Sequence, residues 1–427
     1  MLVMALLAAS TLTLNFDYKT SEFANAVYHI ACLTGTFNCS SEVYSRFWNE
    51  QQKPTRQDGE QFDLWKSTFR KLERAQPDPP SAPLQPNYSA HYPSLRLRNR
   101  ILEAAFSASS ASAFRRSIRS FVPPSDALAL SRAVDYTRRR LHPWWRARGA
   151  AQVTAHAAAL RLKLDANGMV PLARQIAAVL EANPTGGNFR IHLLPSPQPE
   201  GDAATATFVG NQFFVEILNA DKPEFTAWKA MHEMTHSFYE TVDAAVQLRI
   251  MRQFNGEPAL YALLNEALAT AVQLITYERL HIVDDDPYRH PWIPRAARAA
   301  VPILKQALAV GKPLREGFIP AYIAATRAEL GKDAESPRFQ LCTAAVITAP
   351  GLEAARDVFI QEFRPVTWVS SEAEARLFPG APIVRLKEGP SSITTSTVPR
   401  LEVVVTGPNA AAVSGQLRKL AALPRLP

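Results

Sequence analysis

The pentapeptide His232-Glu233-Met234-Thr235-His236, followed on a later apolar run by Asn265-Glu266, constrains this 427-residue chain more than any other feature. Residues i and i+4 share one face of a helix, so His232 and His236 can hold one ion together if their segment is helical. The segment suits a helix. Residues 223 to 243 contain no Gly, and their only Pro is the first residue, Pro223. Asp221 can cap the start, Pro223 fits the first turn, and Glu224 complements the positive end of the helix dipole. Phe225, Trp228, Met231, Thr235, Phe238 and Val242 recur at spacings of three and four, which predicts a largely buried helix. Gly256-Glu257-Pro258 then breaks the chain and opens a second uninterrupted helix over 258–280. Glu266 lies well inside it, among Ala262, Leu263, Leu264, Ala267, Leu268 and Ala269, where a carboxylate is costly to bury unless something pairs with it.

Two imidazoles and one carboxylate leave the fourth position of a tetrahedral Zn²⁺ open for water. That is the pattern of hydrolytic sites, since structural zinc is closed by four protein ligands. The expected cofactor is one Zn²⁺ held by His232, His236 and Glu266. Glu233, one residue on from the first ligand, is near enough to reach a water on the metal. The competing reading has these four groups merely hydrogen-bonded inside a helical core. It would need several independent polar partners in an otherwise apolar segment.

His-Glu-x-x-His followed by Asn-Glu-x-x-Ala on a later helix resembles the gluzincin metallopeptidases, a branch of the zincins, over about residues 186–280. The resemblance implies zinc on His232, His236 and Glu266, with Glu233 as general base and proton shuttle. It also implies an oxyanion donor, Tyr or His, downstream of the glutamate ligand. Tyr288, His290 and Tyr322 are the candidates, and the sequence does not choose among them; for each alone a packing or surface role is the simpler reading. Asn265 stands where the family often has a polar residue beside its glutamate ligand. Positions 239 and 242 are Tyr and Val, so the longer metzincin motif is absent, and no Gly-x-Met-Glu-Asn segment precedes the helix. The substrate class therefore stays open. The implied function is a zinc-dependent metallopeptidase with a peptide or protein substrate. The alternatives are an inactive zincin-like binding or scaffolding protein and a zinc hydrolase of another amide or ester.

The family places the motif helix behind a sheet whose edge strand lines the cleft. Phe189–Leu194, Ala204–Val209 and Gln212–Leu218 have β character, and Gly210-Asn211 between the last two is a hairpin turn signal. The expected fold class is α+β and predominantly helical, a zincin-like catalytic core with a small mixed sheet and an active-site helix. Residues 1–13 resemble an export signal, although the first Lys is Lys19; a buried N-terminal strand or helix is the alternative. Residues 14–185 are expected to be mainly helical, including 62–72 and much of 94–183, with a Pro-rich stretch at 76–93. The catalytic region should span 186–363, its part from 293 helical, and a small α/β region 364–427, with β runs at 381–386 and 401–406 and a final helix.

The formal charge of +8 raises the question of nucleic acid. Its clusters, Arg115-Arg116 and Arg138-Arg139-Arg140, fall on segments with helical apolar spacing and read as solvated helix faces, and no nucleic-acid fold signature is present. No later run reaches transmembrane length. Cys32 and Cys39 flank a loop-like stretch and would form a disulfide in an exported (periplasmic or extracellular) protein, or stay reduced in a cytosolic one. Cys342 reads as a buried core thiol. The oligomeric state is left open.

Overall fold

Two mixed four-stranded sheets organise a chain whose described residues are 66% helical. The structure is a computed structural model. It describes residues 15–37, 39, 41–75, 96–182, 188–197, 206–218, 222–254, 257–283, 290–366, 369, 371–376, 381–397 and 401–427. The expected export signal, Asp221 and Tyr288 lie outside them.

The first sheet contains β1 (Asn15–Lys19), β2 (Asn188–Pro195), β3 (Ala206–Val209) and β4 (Gln212–Ile217) in the order β1-β2-β4-β3. β1, β2 and β4 are parallel, and β3 is the antiparallel edge. The hairpin expected at Gly210-Asn211 is present. Gly210 has φ +54°, the left-handed backbone that glycine adopts at no steric cost at the first position of a two-residue loop.

Both faces of this sheet are covered, because alternate strand residues point to opposite sides. Phe189, Ile191 and Leu193 of β2, Phe208 of β3 and Phe213, Val215 and Ile217 of β4 enter one core. That core is completed by α7 (Ala150–Ala166), α8 (Met169–Leu180), α9 (Pro223–Glu240), α10 (Ala244–Gln253), α11 (Pro258–Leu280), α12 (Ile293–Val310) and α13 (Phe318–Leu330). Leu194, Val209 and Phe214 enter a second core. It belongs to α1 (Glu22–Leu33), α2 (Ser41–Phe47), α3 (Arg56–Arg74), α4 (Leu97–Phe106), α5 (Ala111–Ile118) and α6 (Pro124–Trp144). A polar contact fixes this layer to the sheet. The buried Glu216 carboxylate of β4 accepts hydrogen bonds from Tyr44 at 2.5 Å and Tyr28 at 3.4 Å.

Cys32 and Cys39 are bonded to each other, their Cα atoms 5.7 Å apart. Cys342 is buried and free. The basic run on α6 is less solvated than expected. Arg140 pairs with the buried Asp58 at 3.3 Å and Arg138 approaches Glu22 at 4.0 Å, because the run faces α1 and α3. Arg139 alone of the three is exposed, paired with Asp135.

Two further expectations need correction. Helix α11 does reach membrane-spanning length: Ala259–Leu280 has a mean hydropathy of 1.3, and 89% of the window is buried inside the fold. It is apolar nearly all round because α9 and α12 pack on it, as a core helix requires. The helical run expected over 293–363 is interrupted by β5 (Ala345–Thr348), where β-branched Val346, Ile347 and Thr348 run into the breaker Pro350-Gly351. β5 joins a second sheet with β6 (Ile383–Glu388), β7 (Ser392–Ser396) and β8 (Glu402–Gly407), ordered β5-β6-β8-β7. One face of it packs on α14 (Glu353–Phe363) and α15 (Ala410–Ala422) through Val346, Phe359, Val384, Val405 and Leu417. The two sheets share a plan: three parallel strands, an antiparallel third strand at the edge, and a helix after the fourth.

Two buried histidines give the fold an acid limit. His29 sits among Tyr44, Phe47 and Trp144, with no hydrogen-bond partner for either ring nitrogen among the described residues. Burial pushes its pKa down to about 3. His192 stacks on Phe214 and bonds Gln212 at 3.0 Å, and burial lowers it to about 4. Between the ordinary histidine value and these values the unfolded chain binds more protons than the folded one. Stability is therefore complete above pH 6.5 and falls as the pH drops towards 3. For His29 the loss is about 3 kcal/mol by pH 4. His29→Leu should flatten the fall in urea midpoint between pH 7 and pH 4; an unchanged slope would assign the acid limit elsewhere.

Candidate metal centre

Helix α9 is buried on almost every side, between the sheet and α11. Its two histidines stand one turn apart, 5% and 6% exposed, with Glu233 at 8%. Helix α11 brings Glu266 to the same point, its side chain 16% exposed. The Nε2 atoms of His232 and His236 are 3.1 Å apart. His232 Nε2 lies 3.7 Å from Glu266 Oε2, and His236 Nε2 lies 3.7 Å from Glu266 Oε1. A tetrahedral ion with bonds of 2.0–2.1 Å has ligand–ligand edges of about 3.3 Å. The three expected ligands thus converge at the spacing such an ion requires.

The outer nitrogens of both rings are held by α11. His232 Nδ1 faces Gln273 Oε1 at 3.1 Å, and His236 Nδ1 faces Asn265 Oδ1 at 3.0 Å. Gln273 also donates through Nε2 to the Tyr277 hydroxyl at 2.9 Å. An amide oxygen only accepts, so each Nδ1 carries the proton and each Nε2 presents a lone pair. Two lone pairs and a carboxylate therefore face one another inside the protein. Glu266 Oε2 is buried with no hydrogen-bond partner among the described residues. Burial holds His232 well below the usual histidine range and raises Glu266. An electron-rich cluster of this kind could hold a cation, and its donor set suits Zn²⁺.

Glu233 shares the pocket without joining the three-residue cluster. Burial raises its pKa to about 7; His236 pulls it down, Glu266 pushes it up and Arg98 pulls it down. The β3–β4 hairpin is clasped to the motif helix. Phe208 stacks on His236 with centroids 5.8 Å apart, and Ser237 Oγ donates to Gly210 O at 2.6 Å. Helix α4 closes the outer side, where Asn99 Nδ2 donates to Phe208 O at 3.2 Å.

Of the expected oxyanion donors, His290 is committed to structure. Its Nδ1 accepts from Trp292 N and Ile293 N, capping the start of α12, and its Nε2 donates to Arg364 O at 2.7 Å. Tyr322 is fully buried, stacked on Phe318 and against Phe254 in the helical core. Neither candidate is brought into the cluster by these contacts. Sequence reasoning missed Gln273 and Tyr277, although Gln273 lies two turns after Glu266 on the same apolar helix. It also missed Arg98 and Asn99, which only the folded chain brings near the motif. Comparison with protein-family models, with curated proteins and with solved structures gives no match for this chain.

Proposed function

We propose that the chain is a zinc-dependent metallopeptidase with a zincin-like core spanning the first sheet and helices α9 and α11. The observation that carries this reading is the pair of Nε2 lone pairs 3.1 Å apart beside an orphaned carboxylate oxygen. The antiparallel edge strand pinned to the motif helix supports the zincin part. The Cys32–Cys39 bond supports an exported protein.

His232, His236 and Glu266 would hold the zinc. Bound there, the ion supplies a Lewis acid and lowers the pKa of a coordinated water to about 7. Gln273 and Asn265 orient the imidazoles, so the ligand nitrogens are set before any ion arrives. Glu233, buried and raised to about 7, would take a proton from a water at the site and return it to the leaving amine. All four groups of the motif are present, which disfavours an inactive scaffold.

The test is hydrolysis of a broad peptide mixture by the purified full-length protein. Cleavage should stop with a zinc chelator and return with added Zn²⁺. Cleavage indifferent to the chelator, or none by a protein carrying one zinc, would contradict the proposal.

A further inference from the structure

We propose that the outer side of helices α6 and α7 is a docking surface for an anionic phospholipid membrane. The proposal is independent of the chemistry assigned to the metal centre.

The positive charge of the chain is concentrated in one stretch. Residues 96–163 hold 14 of the 47 Lys and Arg and 3 of the 39 Asp and Glu. That stretch is +11 on its own, against +8 for the whole chain, so the remainder is slightly acidic. The fold then sorts these charges. Glu103 and Asp135 are half-buried and Asp126 is buried, whereas seven arginines are exposed, among them Arg132, Arg139, Arg146 and Arg148. Every exposed charge in the stretch is therefore positive. Arg139 is paired with Asp135, and Arg161 lies over the Tyr18 ring. Arg132, Arg146 and Arg148 meet no acidic group among the described residues.

The shape suits a flat partner. α6 passes through a single wide turn, Trp145–Gly149, into α7 without a break, which makes one helical rod over residues 124–166. At 1.5 Å per residue the rod is about 65 Å long. One side of α6 packs on α1, α3 and α5. On the other side Arg132, Arg139 and Arg146 recur every seven residues, two turns apart, and so form one row.

The partner follows from the mixture of groups. Leu162, 70% exposed, stands beside Arg161 near the far end of the rod. A membrane supplies phosphates, which a guanidinium binds through two parallel N–H···O bonds, and an apolar layer beneath them for the leucine. Duplex nucleic acid offers the first without the second. The Cys32–Cys39 bond also belongs to an oxidising compartment, where phospholipid and not nucleic acid is the abundant polyanion.

The test is flotation of the full-length protein with vesicles of phosphatidylcholine alone, or of phosphatidylcholine with phosphatidylglycerol. At about 0.1 M salt binding should require the anionic lipid, and it should weaken steeply at about 0.5 M, where the charges are screened. Arg132→Gln, Arg146→Gln and Arg148→Gln combined should lower the vesicle partition coefficient about a hundredfold, at about fivefold for each arginine. The corresponding triple change to Lys should keep most of the binding, because charge supplies the main attraction. Leu162→Ala should weaken binding severalfold and leave its salt dependence unchanged. The melting temperature and zinc content of the glutamine variant should match the wild type, which separates lost binding from lost folding. No binding to anionic vesicles, equal binding to neutral and anionic ones, or a glutamine variant that binds like the wild type overturns the proposal. So does tighter binding at the same salt to a short DNA duplex, which would make the surface a nucleic-acid site.

Discussion

Glu233→Gln is expected to lower peptide hydrolysis by about 10³-fold, within the range for loss of a general acid–base group, while zinc content stays at the wild-type level. The amide has the shape of the carboxylate and fits the same buried position, so folding and the three ligands are left intact. What is lost is the group that accepts and returns the proton. In the wild type the acid limb of kcat/KM should follow Glu233, because the base works only when ionised. Burial places that limb near pH 7, and a divalent ion close by draws it lower. Activity is therefore lost as the pH falls through that value, and the limb should vanish in the variant. A Glu233→Gln protein that keeps a tenth or more of wild-type activity would remove Glu233 from its role.

Zinc is expected to raise the thermal stability of the wild type strongly, by about 4 kcal/mol at a free concentration a thousand times the dissociation constant. The reason lies in the zinc-free pocket, where Glu266 Oε2 lacks a hydrogen-bond partner among the described residues and two lone pairs face each other. Glu266→Gln should show opposite effects with and without metal. Without zinc it removes a buried, uncompensated charge and should match or exceed wild-type stability. With zinc it should gain far less than the wild type, because a ligand is missing. His236→Ala should lose the zinc-induced shift almost entirely. Thermal melts of the three proteins with and without zinc read this directly; equal shifts in all three would mean that zinc acts elsewhere.

The site was readable where its chemistry is local. His232 and His236 are four residues apart, and Glu266 stands out as a charge within an apolar helix, so both helices of the three-residue cluster could be assigned from the sequence. The hairpin was readable because Gly210-Asn211 separates two β runs. The remaining features depend on long-range contacts. β1 pairs with β2 across more than 160 residues, with Phe16 opposite Phe189, and nothing in either segment names its partner. Asn99 reaches Phe208 across 109 residues. His290 looked available for catalysis because a capping histidine and a catalytic one have the same sequence appearance. β5 was hidden inside a helical region because four residues carry too little periodicity to outweigh their neighbours.

The central claim is that His232, His236 and Glu266 hold one zinc ion. Its most direct test is the metal content of full-length protein saturated with zinc and then freed of excess, measured for the wild type, His232→Ala and Glu266→Gln. About one zinc per wild-type chain is expected, with little or none in His232→Ala and markedly less than one in Glu266→Gln. A wild-type chain that retains no zinc, or ligand variants that retain as much as the wild type, would contradict it.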